Sequence, residues 1–174
     1  MPQSAPHSAV GCVAIEDIDA KQIVLTLNER TPGNPQWEIL AGHLDPLDPA
    51  NPEGPRESLY DALAREVAEE GGFVIGDPAR VVFFGYRKIM NAPGKKDKAG
   101  REYAPVEIMP YFYATTNLPL EAHYGEETLG SGTFSIGQIE NLAANGRVSP
   151  VELLIIRHGL AAALHDLRGV PYGK

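Results

Sequence analysis

One segment of the chain combines a helical apolar repeat with a dense group of carboxylates. Leu59, Leu63 and Val67 follow one another at four-residue intervals, which places them on one face of a helix. A pair of glycines then provides the stop signal that commonly ends a helix. The segment therefore predicts an amphipathic helix over 58–70, and other parts of the chain must cover its apolar face.

Three glutamates, Glu66, Glu69 and Glu70, lie at the end of this helix. At about 100° per residue they fall within an arc of roughly 100°, beside the apolar stripe and so at the edge of the core. Like charges at this spacing cost roughly 0.2–0.5 kcal/mol per pair, and acidic groups at a helix C-terminus oppose its dipole. A bound divalent cation would remove both penalties. Oxygen ligands without His or Cys favour Mg²⁺ or Mn²⁺ over zinc.

A solvated acidic face is the competing interpretation, and it explains most Glu-rich helices. Here one basic residue, Arg65, lies between Ser58 and Gly72. It can pair with Asp61 or Glu69, which leaves the other carboxylates without a basic neighbour along the helix. A metal site is therefore favoured over a solvated face.

The segment resembles the Nudix box. Glu57 is followed by seven residues and then by Arg65-Glu66-Val67-Ala68-Glu69-Glu70-Gly71-Gly72-Phe73, which is similar to that motif from its first glutamate onward. In the lead-in, Ala41 replaces the usual first glycine, and Gly42 stands fifteen residues before Glu57, where six are usual. The difference indicates a nine-residue insertion within Leu47 to Arg56, in a loop where added length costs little free energy.

The resemblance implies an α/β fold, a Nudix-type α/β/α sandwich around a mixed β-sheet. It also implies a metal-dependent hydrolase that cleaves a phosphoanhydride bond in a nucleoside diphosphate linked to another moiety. ADP-ribose-like compounds and nucleotide sugars are placed slightly ahead of nucleoside triphosphates as substrates. The metal ions would neutralise pyrophosphate oxygens, activate water and stabilise the leaving phosphate, which lets an acidic protein process an acidic substrate.

Site residues carry over from the resemblance position by position. The implied ligands of Mg²⁺ or Mn²⁺ are Glu66, Glu69, Glu70 and the backbone carbonyl of Gly42. Glu66 and Glu70 would be the principal ligands, Glu69 a further ligand or the base that activates water, and Arg65 an orienting ion-pair partner. The implied role of Glu57 is structural. A later loop offers an additional base in Glu127 or its neighbour Glu126, although loop glutamates are more often plain surface.

Substrate-binding candidates lie on two later strands and the loop between them. A basic cluster in 91–102, which includes Lys96, either reaches over the site or is a solvated hairpin tip. Arg87 and Tyr111, with Tyr86 and Tyr113 beside them in the sequence, either hold a base or sugar or pack in the sheet. His43 is a weaker candidate because it adjoins Gly42.

The rest of the chain is typical of a mixed α/β domain. Residues 1–8 are predicted to form a flexible tail and 9–174 a single Nudix-like domain. Strand-like runs occupy 9–15, 22–27, 80–86 and 106–115. Two helix starts have capping-box residues, Ser135 with Gln138 and Ser149 with Glu152. The closing apolar stretch, 151–164, either packs on the sheet or forms a homodimer contact.

Composition narrows the classes of partner. With 15 basic and 23 acidic residues the net charge is −8, which opposes binding to nucleic acid or anionic membranes. No apolar run approaches the roughly 18 residues that span a bilayer. The single cysteine, Cys12, lies in an apolar run and has no partner for a disulfide bond, so a reduced, cytoplasmic location is expected and a nucleophilic role is not.

Two other functions compete with a hydrolase. A non-catalytic Nudix-fold domain would bind a nucleotide or a protein partner as a sensor, but such members tend to lose the carboxylates that this chain retains. A calcium-binding structural module would need an EF-hand-like loop, which the sequence lacks.

Overall fold

The computed structural model describes residues 9–51, 54–72, 74–75, 80–96, 102–115 and 128–171. Within these residues, seven strands form one mixed sheet and three helices pack on it. The strands are β1 (Ala9–Asp17), β2 (Gln22–Asn28), β3 (Gln36–Glu38), β4 (Leu40–His43), β5 (Val81–Met90), β6 (Val106–Thr115) and β7 (Gly130–Ser135). The helices are α1 (Leu59–Gly71), α2 (Ile136–Ala144) and α3 (Pro150–Arg168).

The sheet divides into two branches along β1. The strand order is β3-β2-β1-β6-β5, with β4 added on β1 and β7 on β2. The second half of β1 pairs with β2 from Ala14 onward, whereas its first half, from Ala9 to Cys12, pairs with β4. The far half of β2, from Thr26 to Asn28, pairs with β3 in place of β1, while β7 pairs along β2 from Gln22 to Leu27. β3 therefore pairs with β2 where β1 no longer does, and β4 pairs with β1 where β2 no longer does.

The helices cover both faces of the sheet. Alternate residues of β1 point to opposite sides: Val10, Cys12 and Ala14 contact the α1 side, while Val13 and Ile15 join the core beneath α2 and α3. Because β1 is buried on both faces, its sequence is a nearly continuous apolar run. This arrangement is the α/β/α sandwich predicted from the sequence.

Helix α1 matches its predicted extent because its ends are set locally. The Ser58 hydroxyl accepts a hydrogen bond from the Asp61 N–H at 3.1 Å and caps the start. Gly72 ends the helix with φ at 74°, a left-handed conformation that favours glycine, and its N–H bonds to the Ala68 carbonyl. The two local signals therefore fix the length of α1.

Other elements differ from the sequence prediction or extend it. Strand β7 was not predicted, since its glycines and serines have low strand propensity, yet it pairs with β2 over six positions. Strand β5 extends four residues beyond the predicted end at Tyr86. Helix α3 packs within the monomer through Ile155, Ile156 and Leu160. Residues 1–8 lie outside the described part.

Cys12 is fully buried, and burial raises the pKa of its thiol to about 12. A thiol that stays protonated is a poor nucleophile, so the residue acts as a core side chain, as expected. In the described part of the chain, no helix has the length and apolar character needed to cross a membrane.

The contact between α3 and the sheet predicts a stability effect. A Cβ on Gly159 would lie 2.8 Å from Val13 Cγ2 and 2.9 Å from Val13 Cβ. We expect Gly159→Ala to destabilise the fold by about 1–3 kcal/mol, the usual cost of overpacking a core. Urea unfolding measures this, with Gly137→Ala in α2 as the control, because no atom lies within 4 Å of its added Cβ. Equal stability of the two variants would contradict the predicted packing.

Candidate active site

The Glu66 carboxylate lies against the backbone of Gly42. Its side chain is only 12% exposed, and a Cβ on Gly42 would overlap the Glu66 carboxyl group. The close approach of α1 to β4 therefore requires glycine at position 42 for steric reasons. Burial raises the pKa of Glu66, while the neighbouring Arg65 guanidinium lowers it in part.

Glu70 faces the same strand one residue earlier. Its Oε2 accepts a hydrogen bond from the Ala41 backbone N–H at 2.9 Å. Burial raises the pKa of Glu70 to about 8, against the lowering effect of the Ala41 bond and with the added repulsion of Glu66. Two largely buried carboxylates thus lie beside β4, and burial raises the pKa of both.

Arg65 connects the surrounding carboxylates. Its guanidinium lies 2.7 Å from Glu57 Oε1, 2.8 Å from Glu66 Oε1 and 3.2 Å from Glu69 Oε2, and it donates to the His43 carbonyl at 2.9 Å. Of the two partners expected from the sequence, Glu69 is therefore found. The other, Asp61, instead accepts a hydrogen bond from the Ser58 hydroxyl at 2.7 Å in the helix cap.

The three glutamates do not converge on one point. Glu69 is 59% exposed, Glu70 is turned toward Ala41, and Arg65 lies between Glu66 and Glu69. In the described part of the chain, no group of three or more His, Cys, Asp or Glu side chains is arranged to hold a metal ion. The donors nevertheless suit a hard divalent cation, because they are all oxygens and a residue with a side chain at 42 would displace Glu66.

The two ends of the insertion after Gly42 lie against each other. Pro46 and Arg56 form an isolated antiparallel bridge, and Leu47 N–H donates to the Pro55 carbonyl at 2.9 Å. Below it, the Glu57 N–H donates to the Asp45 carbonyl at 2.9 Å, and Glu57 Oε1 accepts from the Asp45 N–H at 2.8 Å. The described ends of the insertion are therefore joined by these contacts, and the chain enters α1 next to the end of β4.

A second polar group involves β5, β6 and the first turn of α3. The Tyr111 side chain packs over Gly11 in the buried core, and burial raises the pKa of its hydroxyl while the nearby charge of Arg87 lowers it in part. The Arg87 Nε is buried with no hydrogen-bond partner in the described structure. The sequence prediction named Arg87 and Tyr111 as site residues but did not name Glu152. The charge of the nearby Arg87 lowers the pKa of Glu152.

Two further residues missed by the sequence prediction lie near Glu70. The Arg30 guanidinium binds Glu38 at 2.7 Å, and the charges of both residues act on Glu70. Arg30 follows β2 and Glu38 ends β3, so only the pairing of those strands brings them together. Their one signal in the sequence is the presence of charged residues beside apolar runs, which does not distinguish them from surface residues.

The β5–β6 hairpin approaches the site from the side. Tyr103 lies with its ring centroid 5.4 Å from that of His43, and Lys95 Nζ lies 4.9 Å from the Tyr103 centroid. Lys96 is exposed and bridges to Glu102 across the hairpin. The other basic residues of the predicted cluster, Lys98 and Arg101, lie outside the described residues, as do the loop glutamates, Glu126 and Glu127.

The NUDIX domain model matches residues 5–152 of the chain. The chain therefore belongs to the NUDIX family and is a NUDIX-type hydrolase, which confirms the family and enzyme class expected from the sequence. Enzymes of this family generally use a divalent metal ion. No curated protein matches the sequence significantly.

Solved structures support the fold. A NUDIX hydrolase from Nitrosomonas europaea is 20% identical, with 97% of this chain and 99% of that chain covered and a TM-score of 0.61. The NUDIX domain of Shewanella oneidensis NrtR, complexed with ADP ribose, is 14% identical over 91% and 90%, with a TM-score of 0.63. A C. elegans Ap4A hydrolase is 18% identical over 92% and 99%, with a TM-score of 0.59. At these identities the likeness establishes the shared fold.

The raised pKa of Glu70 predicts how stability changes with pH. Between its ordinary value of 4.5 and about 8, the folded metal-free protein holds a proton that the unfolded chain releases. The free energy of unfolding should therefore fall as pH rises through this interval. Urea unfolding from pH 5 to 9 in EDTA, for wild type and Glu70→Gln, isolates the effect. A difference between the two proteins that does not vary with pH would contradict the assigned shift.

Proposed function

We propose that this chain is a metal-dependent hydrolase that cleaves the diphosphate bond of a nucleoside diphosphate linked to another moiety. The observation that carries the proposal is the contact between α1 and β4, where Glu66 fits against Gly42 and Glu70 binds the Ala41 N–H. Two buried carboxylates beside a glycine make an oxygen-lined site that a divalent cation would neutralise. The same cation would let a chain of net charge −8 accept a polyanionic substrate.

Glu66, Glu69 and Glu70 would hold Mg²⁺ or Mn²⁺, together with the Gly42 carbonyl. When bound, the metal supplies Lewis-acid stabilisation of the diphosphate oxygens and lowers the pKa of a bound water. Glu69, the most exposed of the three, is the candidate for accepting a proton from the attacking water. Arg65 orients Glu66 and Glu69 and fixes the His43 carbonyl, while Glu57 holds Arg65 and the Asp45 N–H. Glu127 remains a candidate second base.

The substrate would extend from the carboxylates toward β5 and β6. Arg87 on β5 and Tyr111 on β6 are the candidates for binding its second half, and Lys96 is the candidate on the hairpin. ADP-ribose-like compounds and nucleotide sugars are placed ahead of nucleoside triphosphates. The ADP ribose bound to the NrtR NUDIX domain supports that order. A cytoplasmic location and a homodimer also remain predictions, the second of which light scattering on the purified protein tests.

A substrate panel tests the proposal. Release of phosphate and nucleotide would be measured for ADP-ribose, nucleotide sugars, dinucleoside polyphosphates and nucleoside triphosphates, each with Mg²⁺, with Mn²⁺ and with EDTA. We expect cleavage of at least one class that EDTA abolishes, and none with the Glu70→Gln protein purified identically. Binding without cleavage of any compound would instead favour a non-catalytic sensor.

A further inference from the structure

The first turn of α3 carries a side chain that leaves its own helix. The Ser149 hydroxyl accepts a hydrogen bond from the Glu152 backbone N–H at 3.1 Å, which is half of a capping box. The Glu152 carboxylate then accepts from the Ile39 backbone N–H at 3.2 Å, across 113 residues of sequence. In α2 the same pattern, Ser135 with Gln138, forms the complete local box. The first turn of α3 therefore contributes a carboxylate to a tertiary contact.

Ile39, the hydrogen-bond partner of Glu152, lies just before the residues of β4 that contact Glu66 and Glu70. Ile39 separates β3 from β4, and its side chain is buried in the core beneath α2 and α3. Two residues later, the Ala41 N–H binds Glu70, and Gly42 follows against Glu66. The Ile39 N–H thus begins the short segment whose backbone contacts both carboxylates.

A charged carboxylate at position 152 has a desolvation cost. Burial raises the pKa of Glu152, and the Ile39 hydrogen bond and the charges of Arg87 and Arg30 lower it only in part. The first turn of a helix also favours a negative charge. An apolar residue at position 152 would avoid the desolvation cost but would leave the Ile39 N–H without this acceptor.

We propose that Glu152 is a positioning residue that fixes the Ile39–Gly42 segment against Glu66 and Glu70, so that α3 supports the metal site from the opposite layer of the sandwich. This inference rests on the proposed function for its catalytic consequence. Its structural part concerns the Ala41 N–H and can be measured in the metal-free protein.

Two variants distinguish the effect of side-chain length at position 152 from the effect of its charge. Glu152→Gln keeps an oxygen that can accept from the Ile39 N–H and loses the charge. Glu152→Asp keeps the charge near the start of α3 and is one methylene too short for the contact. Gln138→Ala is the matched control, since it removes the corresponding side chain from the start of α2, away from the site.

Three readouts are needed: hydrogen exchange of the Ala41 amide without metal, Mn²⁺ affinity by electron paramagnetic resonance, and kcat and KM on the best substrate of the panel. For Glu152→Asp we expect at least tenfold faster exchange at Ala41, roughly 10–100-fold weaker Mn²⁺ binding, as for loss of other groups that orient metal ligands, and a fall mainly in kcat. Glu152→Gln should stay within about threefold of wild type in all three, and so should Gln138→Ala.

Either of two results would overturn the inference. One is a folded Glu152→Asp protein with wild-type Ala41 exchange and Mn²⁺ affinity. The other is the reverse order, with Glu152→Gln impaired and Glu152→Asp intact, which would assign the role to charge rather than to reach. If the wild-type protein cleaves no compound, the proposed function fails, but the exchange measurement still decides whether Glu152 positions the segment.

Discussion

Glu70→Gln should abolish turnover and leave the protein folded. The amide oxygen of Gln can still accept the Ala41 N–H that Glu70 Oε2 accepts at 2.9 Å, so the contact between α1 and β4 is retained. The substitution removes the anionic oxygen that would bind the cation. Metal ions stabilise phosphoryl transition states by several kcal/mol, so kcat/KM is expected to fall by about 10³-fold or more.

The same substitution should raise the stability of the metal-free protein at pH 9. There Glu70 is ionised beside Glu66, and the neutral amide removes that repulsion. The control is Glu140→Gln, the same chemical change in α2, where Glu140 forms an exposed pair with Arg157 of α3. It should leave activity and Mn²⁺ binding unchanged. A folded Glu70→Gln protein with wild-type activity would defeat the assignment of Glu70 as a metal ligand.

The sequence predicts the parts of this site that depend on local spacing. The α1 helix, its Ser58 cap and its glycine stop follow from residues close to one another, so the shared face of Glu66 and Glu70 could be predicted. The pairing of Arg65 with Glu69 could be proposed from the sequence, but not its further contacts with Glu57 and Glu66. Glu57 lies before the helix begins, and its contact with Arg65 depends on how the chain enters α1.

Contacts between the layers of the sandwich could not be predicted from the sequence, for a different reason. Glu152 has the local sequence of a capping box, and only the packing of α3 on the sheet gives its carboxylate a better-placed partner in Ile39. Strand β7 has low intrinsic propensity and exists because β2 offers it a free edge. In each case tertiary contacts override a local preference, and such conflicts are expected where a fold supports a site.

Gly42→Ala should cost about 10²-fold in kcat, although the change adds a single methyl group. No left-handed backbone conformation is required at this residue, so the effect is steric. The new Cβ would overlap the Glu66 carboxyl group, and either Glu66 must rotate away or α1 must shift from β4. A displacement of about 1 Å in a catalytic constellation commonly costs on this order.

Gly85→Ala is the matched control, because it makes the same change within a strand and its added Cβ meets no atom within 4 Å. It should retain wild-type kcat and Mn²⁺ affinity, whereas Gly42→Ala should lose affinity as well as turnover. Measuring Mn²⁺ binding separates displacement of Glu66 from a general loss of fold, which thermal unfolding reports independently. If Gly42→Ala folds and has the same turnover as Gly85→Ala, the close contact between Gly42 and Glu66 is not needed for catalysis. The metal site must then be built from other atoms.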